Sequence, residues 1–208
     1  MFAKEPFSGY SHLVGAVLAL AGTVWLVTLT WGDSPLLVAT LIYGLSMVTM
    51  FSTSAALHLA AGSQYVWEVL NRLDHAAIHL MIAGSYTVFS MLALDGWWRW
   101  GLIITIWILT AIGVINKVVA FKDRSPVWTA FYVVSGMLVV VAIPEVIANV
   151  SPEVLRLMVG GGLVYLAGTL VYAFDDPQVR PVFGVHEVWH LFIMVGVAVH
   201  FAAVVLLL

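Results

Sequence analysis

The sequence predicts an all-α, polytopic membrane protein whose seven transmembrane helices form a single domain over residues 1–208. Hydrophobic residues make up 62% of the chain and charged residues only 9%, whereas a soluble domain carries about 25% charged residues. Long apolar stretches recur along the whole chain, and a bilayer core of ~30 Å requires ~20 apolar residues per spanning helix. Lipid offers no partners for backbone amides, so an open sheet is excluded.

The predicted helices are the apolar runs that lie between polar residues, glycines and prolines. They cover residues 13–31, 36–61, 73–94, 97–120, 127–143, 155–174 and 186–208. Turn-forming and charged residues separate the helices at 32–35, 122–126, 151–152 and 175–177. Proline and short polar residues end helices and favour turns, so these four segments are predicted loops.

The basic residues predict the orientation of the chain, because Lys and Arg are retained on the cytoplasmic side of a membrane. Lys4, Arg72, Lys117, Lys122, Arg124 and Arg180 lie on the side of the N-terminus, whereas Arg99 and Arg156 lie on the opposite side. We therefore expect a cytoplasmic N-terminus and an external C-terminus in the plasma (inner) membrane. Trp97, Trp98 and Trp100, at the start of the fourth helix, are typical of an interfacial aromatic belt.

Composition also excludes several classes of function. The net charge is −3 and the chain has no basic tract, so no nucleic-acid partner is expected. Cysteine is absent, which excludes disulfides and thiolate metal ligands. The first residues lack the basic region and cleavage site of a signal peptide, so we expect the first hydrophobic segment to remain in the mature protein.

Ionisable side chains gather at the predicted cytoplasmic ends of three helices. Ser54 and His58 end the second helix, Asp74 opens the third, and His186 and His190 open the seventh. Ser54 with His58, and His186 with His190, are i,i+4 pairs, so the two residues of each pair share one helix face and lie ~6 Å apart. Alternating chain direction places all three helix ends in one leaflet. We therefore expect three imidazoles to converge there.

Three histidines with an open fourth position are the ligand set of catalytic zinc sites. In such a site Asp74 would orient a water and accept its proton, while Ser54 would bond a ligand or a developing oxyanion. Each residue alone also has an ordinary explanation: an interfacial histidine, a helix-packing serine, or an aspartate that caps the third helix. Their coincidence at one depth favours a zinc site with His58, His186 and His190 as ligands.

Other residues leave the ligand set open. His12 lies near the start of the first helix, and His75 and His79 form another i,i+4 pair in the third. His200 lies ten residues beyond His190, about 15 Å along the helix and therefore out of reach of the site.

Residues 186–190 read His-Glu-Val-Trp-His, which matches the H-E-x-x-H motif of zinc proteases in which the glutamate activates water. Glu187 would have that role here, so an intramembrane metalloprotease is an alternative hypothesis. The motif would still need a third ligand from elsewhere in the chain.

Four sequence blocks resemble the hemolysin III family, the bacterial branch of the progestin and adipoQ receptor family, which is related to alkaline ceramidases and adiponectin receptors. The blocks are Glu5 with residues 11–16 (SHLVGA), residues 52–58 (STSAALH), residues 73–78 with 82–87 (LDHAAI and IAGSYT), and residues 186–192 (HEVWHLF). The chain departs from the family pattern at Ser8, Leu57 and Val88, where Asn, Tyr and Pro are expected. None of these departures removes a proposed ligand.

The resemblance implies a seven-helix bundle with zinc held by His58, His186 and His190 near the cytoplasmic face, with Asp74 and Ser54 beside it. It also implies a zinc-dependent hydrolase of lipid amide or ester bonds, similar to a ceramidase, or a lipid-state regulator on the same scaffold. The partner would be a membrane lipid. A non-enzymatic sensor with structural zinc and a pore-forming hemolysin are alternatives. Glu5, His12, His75, His79 and Glu187 are candidate accessory residues.

Overall fold

A computed structural model describes residues 5–120, 125–173 and 183–208, and these residues form helices and no strands. The α-helices are α1 (Pro6–Leu29), α2 (Ser34–Leu59), α3 (Gln64–Ala93), α4 (Gly96–Val119), α5 (Pro126–Gly136), α6 (Ile143–Asn149), α7 (Pro152–Ala173) and α8 (Val185–Leu207), with a 3₁₀ helix at Leu138–Ala142. Within the described chain, seven segments are long and apolar enough to cross a membrane, and α5, the 3₁₀ helix and α6 together make the fifth. The predicted seven-span, all-α fold is confirmed.

The outside of the bundle is apolar, as a lipid-facing surface requires. Large side chains such as Val17 and Leu18 on α1 and Leu170 on α7 are more than half exposed. At the start of α4, Trp97 and Trp100 are also well exposed, which suits residues of an interfacial belt. These exposed apolar side chains are therefore suited to contact lipid.

Two helices begin well before their predicted starts. The third begins at Gln64 rather than 73, and the first at Pro6 rather than 13. Both extra segments contain polar residues that hydropathy assigns to loops, yet the α3 extension is capped by Ser63, whose hydroxyl accepts a hydrogen bond from the Val66 amide at 3.4 Å. Hydropathy therefore indicates the extent of the apolar, lipid-contacting segment and not the residues at which the helix begins and ends.

The fifth span is not one continuous helix. Pro144 lacks an amide proton and its ring would clash with the carbonyl four residues earlier, so the α-helix gives way to a 3₁₀ turn before it. Tyr86 of α3 reaches into this break: its hydroxyl donates to the Gly136 carbonyl at 2.9 Å and accepts from the Val139 amide at 2.7 Å. Backbone groups freed in a membrane need such a partner.

Helices α1 to α4 pack side by side in chain order, and α8 packs on α7, α1 and α3. The core between α2, α3 and α8 is built around Tyr43, Met47, Val88 and Val204. Beside this core lies a cavity of about 870 Å³ bounded by α2, α3, the fifth span, α7 and α8. The cavity determines where a ligand can reach the polar residues of the bundle.

The predicted loops at 32–35 and 151–152 lie where the structure separates helices, and Asp33 caps α2 by accepting from the Leu36 amide at 3.1 Å. The predicted loop at 175–177 and most of the loop at 122–126 lie outside the described residues. So do four of the basic residues used for orientation, namely Lys4, Lys122, Arg124 and Arg180. The orientation of the chain therefore stays a prediction at this point.

Candidate metal centre

Three imidazoles meet at one end of the bundle. Each of His58, His186 and His190 offers a nitrogen, and these atoms all lie within 4.8 Å of one another. The Nε2 atoms of His186 and His190 are 3.1 Å apart. Nitrogens ~2.0 to 2.1 Å from a tetrahedral zinc lie about 3.3 to 3.4 Å from each other. The three nitrogens could therefore hold a metal ion after some movement of the rings.

The local helices place the three rings as their spacing predicts. His58 lies in the last turn of α2, and His186 and His190 lie in the first turns of α8 on one face. His190 is buried, whereas His58 and His186 are partly buried. Residues 128 positions apart in the chain thereby come within ligand distance, which is the geometric condition for a shared ion.

Glu187 does not point to this site. Its Oε2 accepts a hydrogen bond from the Gly184 amide at 2.8 Å, and its Oε1 accepts from the Ser8 hydroxyl at 3.4 Å. The carboxylate thus caps the N-terminus of α8 and ties it to α1, and both Ser8 and Glu187 are buried. A zinc protease of the H-E-x-x-H type needs this carboxylate at the attacking water. The geometry supports a structural role for it instead.

Glu5 lies against two of the three imidazoles. Its Oε2 lies 2.8 Å from His58 Nδ1 and 3.5 Å from His186 Nε2. A carboxylate on one ring nitrogen fixes the tautomer and the ring orientation, and it leaves the other nitrogen to bind the metal. The structure therefore places the accessory candidate Glu5 in contact with His58 and beside His186.

We expect Glu5→Gln to weaken zinc binding by about 10- to 100-fold, because such supporting carboxylates contribute affinity of that order. Competition with a fluorescent zinc chelator would measure the dissociation constant. Glu68→Gln is the matched control, since Glu68 is an exposed carboxylate of α3 that bonds Gln64. Equal affinities in the two variants would contradict the assigned role of Glu5.

Asp74 and Ser54 form a pair beside the imidazoles. The Ser54 hydroxyl hydrogen-bonds the Asp74 carboxyl, and Asp74 is close enough to His58 and His186 for electrostatic interaction. The expectation that Asp74 opens the third helix is wrong: α3 begins ten residues earlier and is capped by Ser63. Capping is therefore no longer an explanation for the aspartate. It lies inside the helix and lines the cavity next to the three rings.

The remaining candidate histidines have separate locations. The His12 ring lies against that of His190, with 4.0 Å between centroids, so a fourth imidazole borders the group. The Nδ1 of His75 bonds the Asn71 carbonyl of its own helix at 2.9 Å. His79 is fully buried, stacks on Tyr132 with 4.3 Å between centroids and faces Gly113 of α4. His79 thus packs three helices together away from the three imidazoles of the candidate site.

Sequence reasoning missed two polar residues that line the same cavity. Asn71 is buried one turn before Asp74, and its Nδ2 makes no hydrogen bond with the described residues. Lys117, near the end of α4, is also buried in the cavity wall. Asn71 lies outside the predicted third helix, which starts at residue 73. Extending that helix by two turns would have placed it three residues before Asp74, on the same face.

The cavity extends from the three imidazoles to the far side of the bundle. Ser54, His58, Asp74, His186 and His190 lie in its wall at one end. Leu94, Leu102, Val146, Leu155 and Met158 lie in its wall towards the opposite end. Most of the remaining wall is apolar. A long hydrocarbon chain could therefore lie in the bundle with its polar end at the three imidazoles.

Comparison with known proteins decides the family. The sequence model described as "Haemolysin-III related" matches residues 1–201. The chain is a haemolysin-III-related protein. It is 31% identical to hemolysin-3 of Bacillus cereus over 206 residues, covering 98% of this chain and 91% of the relative. It is 28% identical to a hemolysin-3 homolog of Bacillus subtilis (strain 168) over 203 residues, covering 97% and 92%.

A more distant relative is the human monocyte to macrophage differentiation factor, with 26% identity over 203 residues that cover 94% of this chain and 80% of that protein. All of these matches include the segments that bear Ser54, Asp74 and the three ligand candidates. The resemblance read from the sequence blocks is thus confirmed at the level of the family.

Proposed function

We propose that this protein is a zinc-dependent membrane hydrolase that cleaves an amide or ester bond of a lipid. The observation that carries the proposal is the meeting of three imidazoles within 4.8 Å, with a hydrogen-bonded Ser54–Asp74 pair beside them, at the end of an apolar cavity. Nitrogen ligands without any thiolate suit zinc, and a three-histidine set leaves a fourth position open. His58, His186 and His190 would hold the ion.

Zinc bound there would polarise a carbonyl and acidify a water molecule. We assign to Asp74 the acceptance of the proton of that water, because it interacts electrostatically with His58 and His186 and lines the cavity. The Ser54 hydroxyl has one proton and lies close enough to the Asp74 carboxyl for a hydrogen bond. We therefore assign Ser54 first to the orientation of Asp74, and to an oxyanion only after the hydroxyl turns to the substrate.

The cavity supports a lipid as the substrate. Its volume of about 870 Å³ lies in the range of small-molecule sites, and its wall is apolar beyond the polar end. An acyl chain would lie along this wall and bring its carbonyl to the imidazoles. Similarity to ceramidases, which the sequence blocks imply, agrees with an amide or ester of a fatty acid. A membrane lipid is therefore the proposed partner.

A specific observation also favours a second function, in which zinc cross-links helices in a lipid-sensing membrane protein without turnover. The ligands come from α2 and α8, and these are not among the helix pairs that pack extensively in the described chain. An ion shared by two such helices would contribute to folding. No such observation favours a pore, because the cavity wall is largely apolar and polar residues concentrate at its end.

One experiment separates hydrolysis from structural zinc. The protein in lipid nanodiscs, loaded with zinc, would be given a ceramide, an N-acyl amide and an acyl ester, and released fatty acid would be measured. We expect release from at least one class, its loss on chelation and its return on addition of zinc. Bound zinc without any release, together with a lower melting temperature after chelation, would instead support the structural function.

We further propose that the N-terminus and the metal centre face the cytoplasm and that the protein resides in the plasma (inner) membrane, as the basic residues indicate. The chain has no cysteine, so single cysteines report sidedness directly. We expect a membrane-impermeant maleimide added to intact spheroplasts to label Ser34→Cys, at the start of α2, and not Ala61→Cys, beyond its end. The reverse pattern would invert the topology.

A further inference from the structure

The two helices that offer the candidate ligands are held together by other helices. Among the described helices, α2 and α8 do not pack extensively on one another, whereas α1 and α3 each pack on both. His58 of α2 nevertheless offers a nitrogen within 4.8 Å of nitrogens of His186 and His190 of α8. The close approach of the three rings therefore depends on a helix that contacts both ligand-bearing ends.

One face of α1 meets both of these ends. The face consists of Glu5, Ser8, Gly9 and His12. Their spacing of three, four and seven residues from the first places them on one side of a helix. The Glu5 carboxylate contacts rings from both ligand-bearing helices, since its Oε2 lies 2.8 Å from His58 Nδ1 and 3.5 Å from His186 Nε2. This α1 face thus reaches the metal centre from one side.

The His12 ring lies between α2 and α8. It packs against the His190 ring of α8 with 4.0 Å between centroids, and it meets the Phe51 ring of α2 edge-on with 5.1 Å between centroids. His12 is buried, and neither of its ring nitrogens makes a hydrogen bond with the described residues. Its contacts are therefore those of a ring that fills space and sets the separation of His190 from α2.

Two further residues fix α1 to the same two helix ends. A Cβ at Gly9 would lie 2.5 Å from Leu59 Cγ and 3.3 Å from His58 Cβ, so the missing side chain lets α1 approach the last turn of α2. On the other side, the Ser8 hydroxyl donates to Oε1 of Glu187, which caps α8, at 3.4 Å. The α1 face is thus in contact with α2 and α8 at the level of the three imidazoles.

We propose that the α1 face is a positioning element that holds the ligand-bearing ends of α2 and α8 at ligand distance before the ion binds, with His12 as its central positioning residue. The inference rests on the proposed function in one respect, namely that the three imidazoles bind zinc. Ligands that are already in place lose less conformational freedom on binding, and this raises affinity. In the structural-zinc alternative, by contrast, the ion itself draws the two helices together.

The test measures the distance between the two helix ends with and without zinc. The chain has no cysteine, so nitroxide labels can be attached to Ala61→Cys, beyond the end of α2, and to Val185→Cys, at the start of α8, both exposed positions. Double electron–electron resonance on the full-length protein in nanodiscs gives the distance distribution. We expect the same narrow distribution in both states. A broad distribution that narrows only on addition of zinc would overturn the inference.

Replacement of His12 tests the positioning residue itself. His12→Ala removes the ring between α2 and α8, so the zinc-free distribution should broaden and the dissociation constant for zinc, measured by chelator competition, should rise about tenfold. His12→Phe keeps a ring without its nitrogens and should restore both values. His79→Ala is the matched control, because it removes another buried imidazole away from the site. It should lower the melting temperature without changing the distance or the affinity.

The outcomes separate this inference from the hydrolase proposal. Wild-type distance and affinity in His12→Ala would overturn the inference. So would an equal loss of affinity in His12→Phe, which would make the imidazole nitrogens of His12 part of the ligand set. The comparison of wild type with and without zinc stands even if His12→Ala fails to fold. Bound zinc and a narrow distribution in both states, without any lipid hydrolysis, would fail the hydrolase proposal alone.

Discussion

The His58→Ala protein is expected to purify without bound zinc. The variant removes one of three nitrogens that lie within 4.8 Å of one another, and an ion held by the two remaining imidazoles loses its geometry. Loss of a supporting residue alone weakens such sites by about 10- to 100-fold, so loss of a ligand should exceed about 100-fold. Metal content per chain, measured by mass spectrometry after purification at fixed zinc, gives the result directly.

His200→Phe is the matched control for this experiment, because it removes an imidazole from the same cavity, about 15 Å away along α8. It should keep the zinc content of the wild type. His190→Ala should behave like His58→Ala, since the Nε2 of His190 is 3.1 Å from that of His186. A zinc content equal to that of the wild type in both alanine variants would show that these histidines do not hold the metal.

Asp74→Asn is expected to keep zinc and lose lipid hydrolysis. The amide fills the same space and still meets Ser54 and the cavity, but it cannot accept a proton from water. General-base catalysis contributes about 10² to 10⁴ in rate, so turnover should fall by that factor. The measurement pairs zinc content with fatty-acid release from the substrate class that the wild type cleaves.

Ser54→Ala provides the comparison. It removes the hydroxyl that bonds Asp74 and leaves the carboxylate in place, so a smaller loss of turnover with unchanged zinc is expected. A loss equal to that of Asp74→Asn would give the serine a direct part in the reaction. Full turnover in Asp74→Asn would remove Asp74 as the base, and zinc loss in the same variant would make it a ligand.

The spans could be predicted from the sequence because lipid imposes a length and a composition that are visible in any window of the chain. The residues at which the helices begin and end could not be predicted from composition. Gln64 to Arg72 forms helix outside the apolar run, since Ser63 caps it and local bonds suffice there. The break before Pro144 depends on the Tyr86 hydroxyl, which comes from a different helix, so no local pattern reports how its backbone groups are satisfied.

Part of the candidate site could likewise be predicted from the sequence, and part of it could not. Helical spacing alone put Ser54 with His58, and His186 with His190, on common faces, and helix order put them in one leaflet. The supporting residues needed the structure: Glu5 was only a candidate until its carboxylate was found on His58, and Glu187 changed from a potential base to a helix cap. Side-chain direction decides such roles, and direction depends on neighbours far away in the chain.

The sequence by itself determined that this chain is a seven-span helical membrane protein with its histidines and carboxylates concentrated at a few helix ends, because both properties follow from local composition and from a fixed helical repeat. Tertiary structure alone decided which imidazoles share a point, that Asp74 lies inside α3 beside Ser54, and that one cavity joins this end of the bundle to His200. Distances between helices are set by how whole surfaces pack together, and that information is spread over the entire chain.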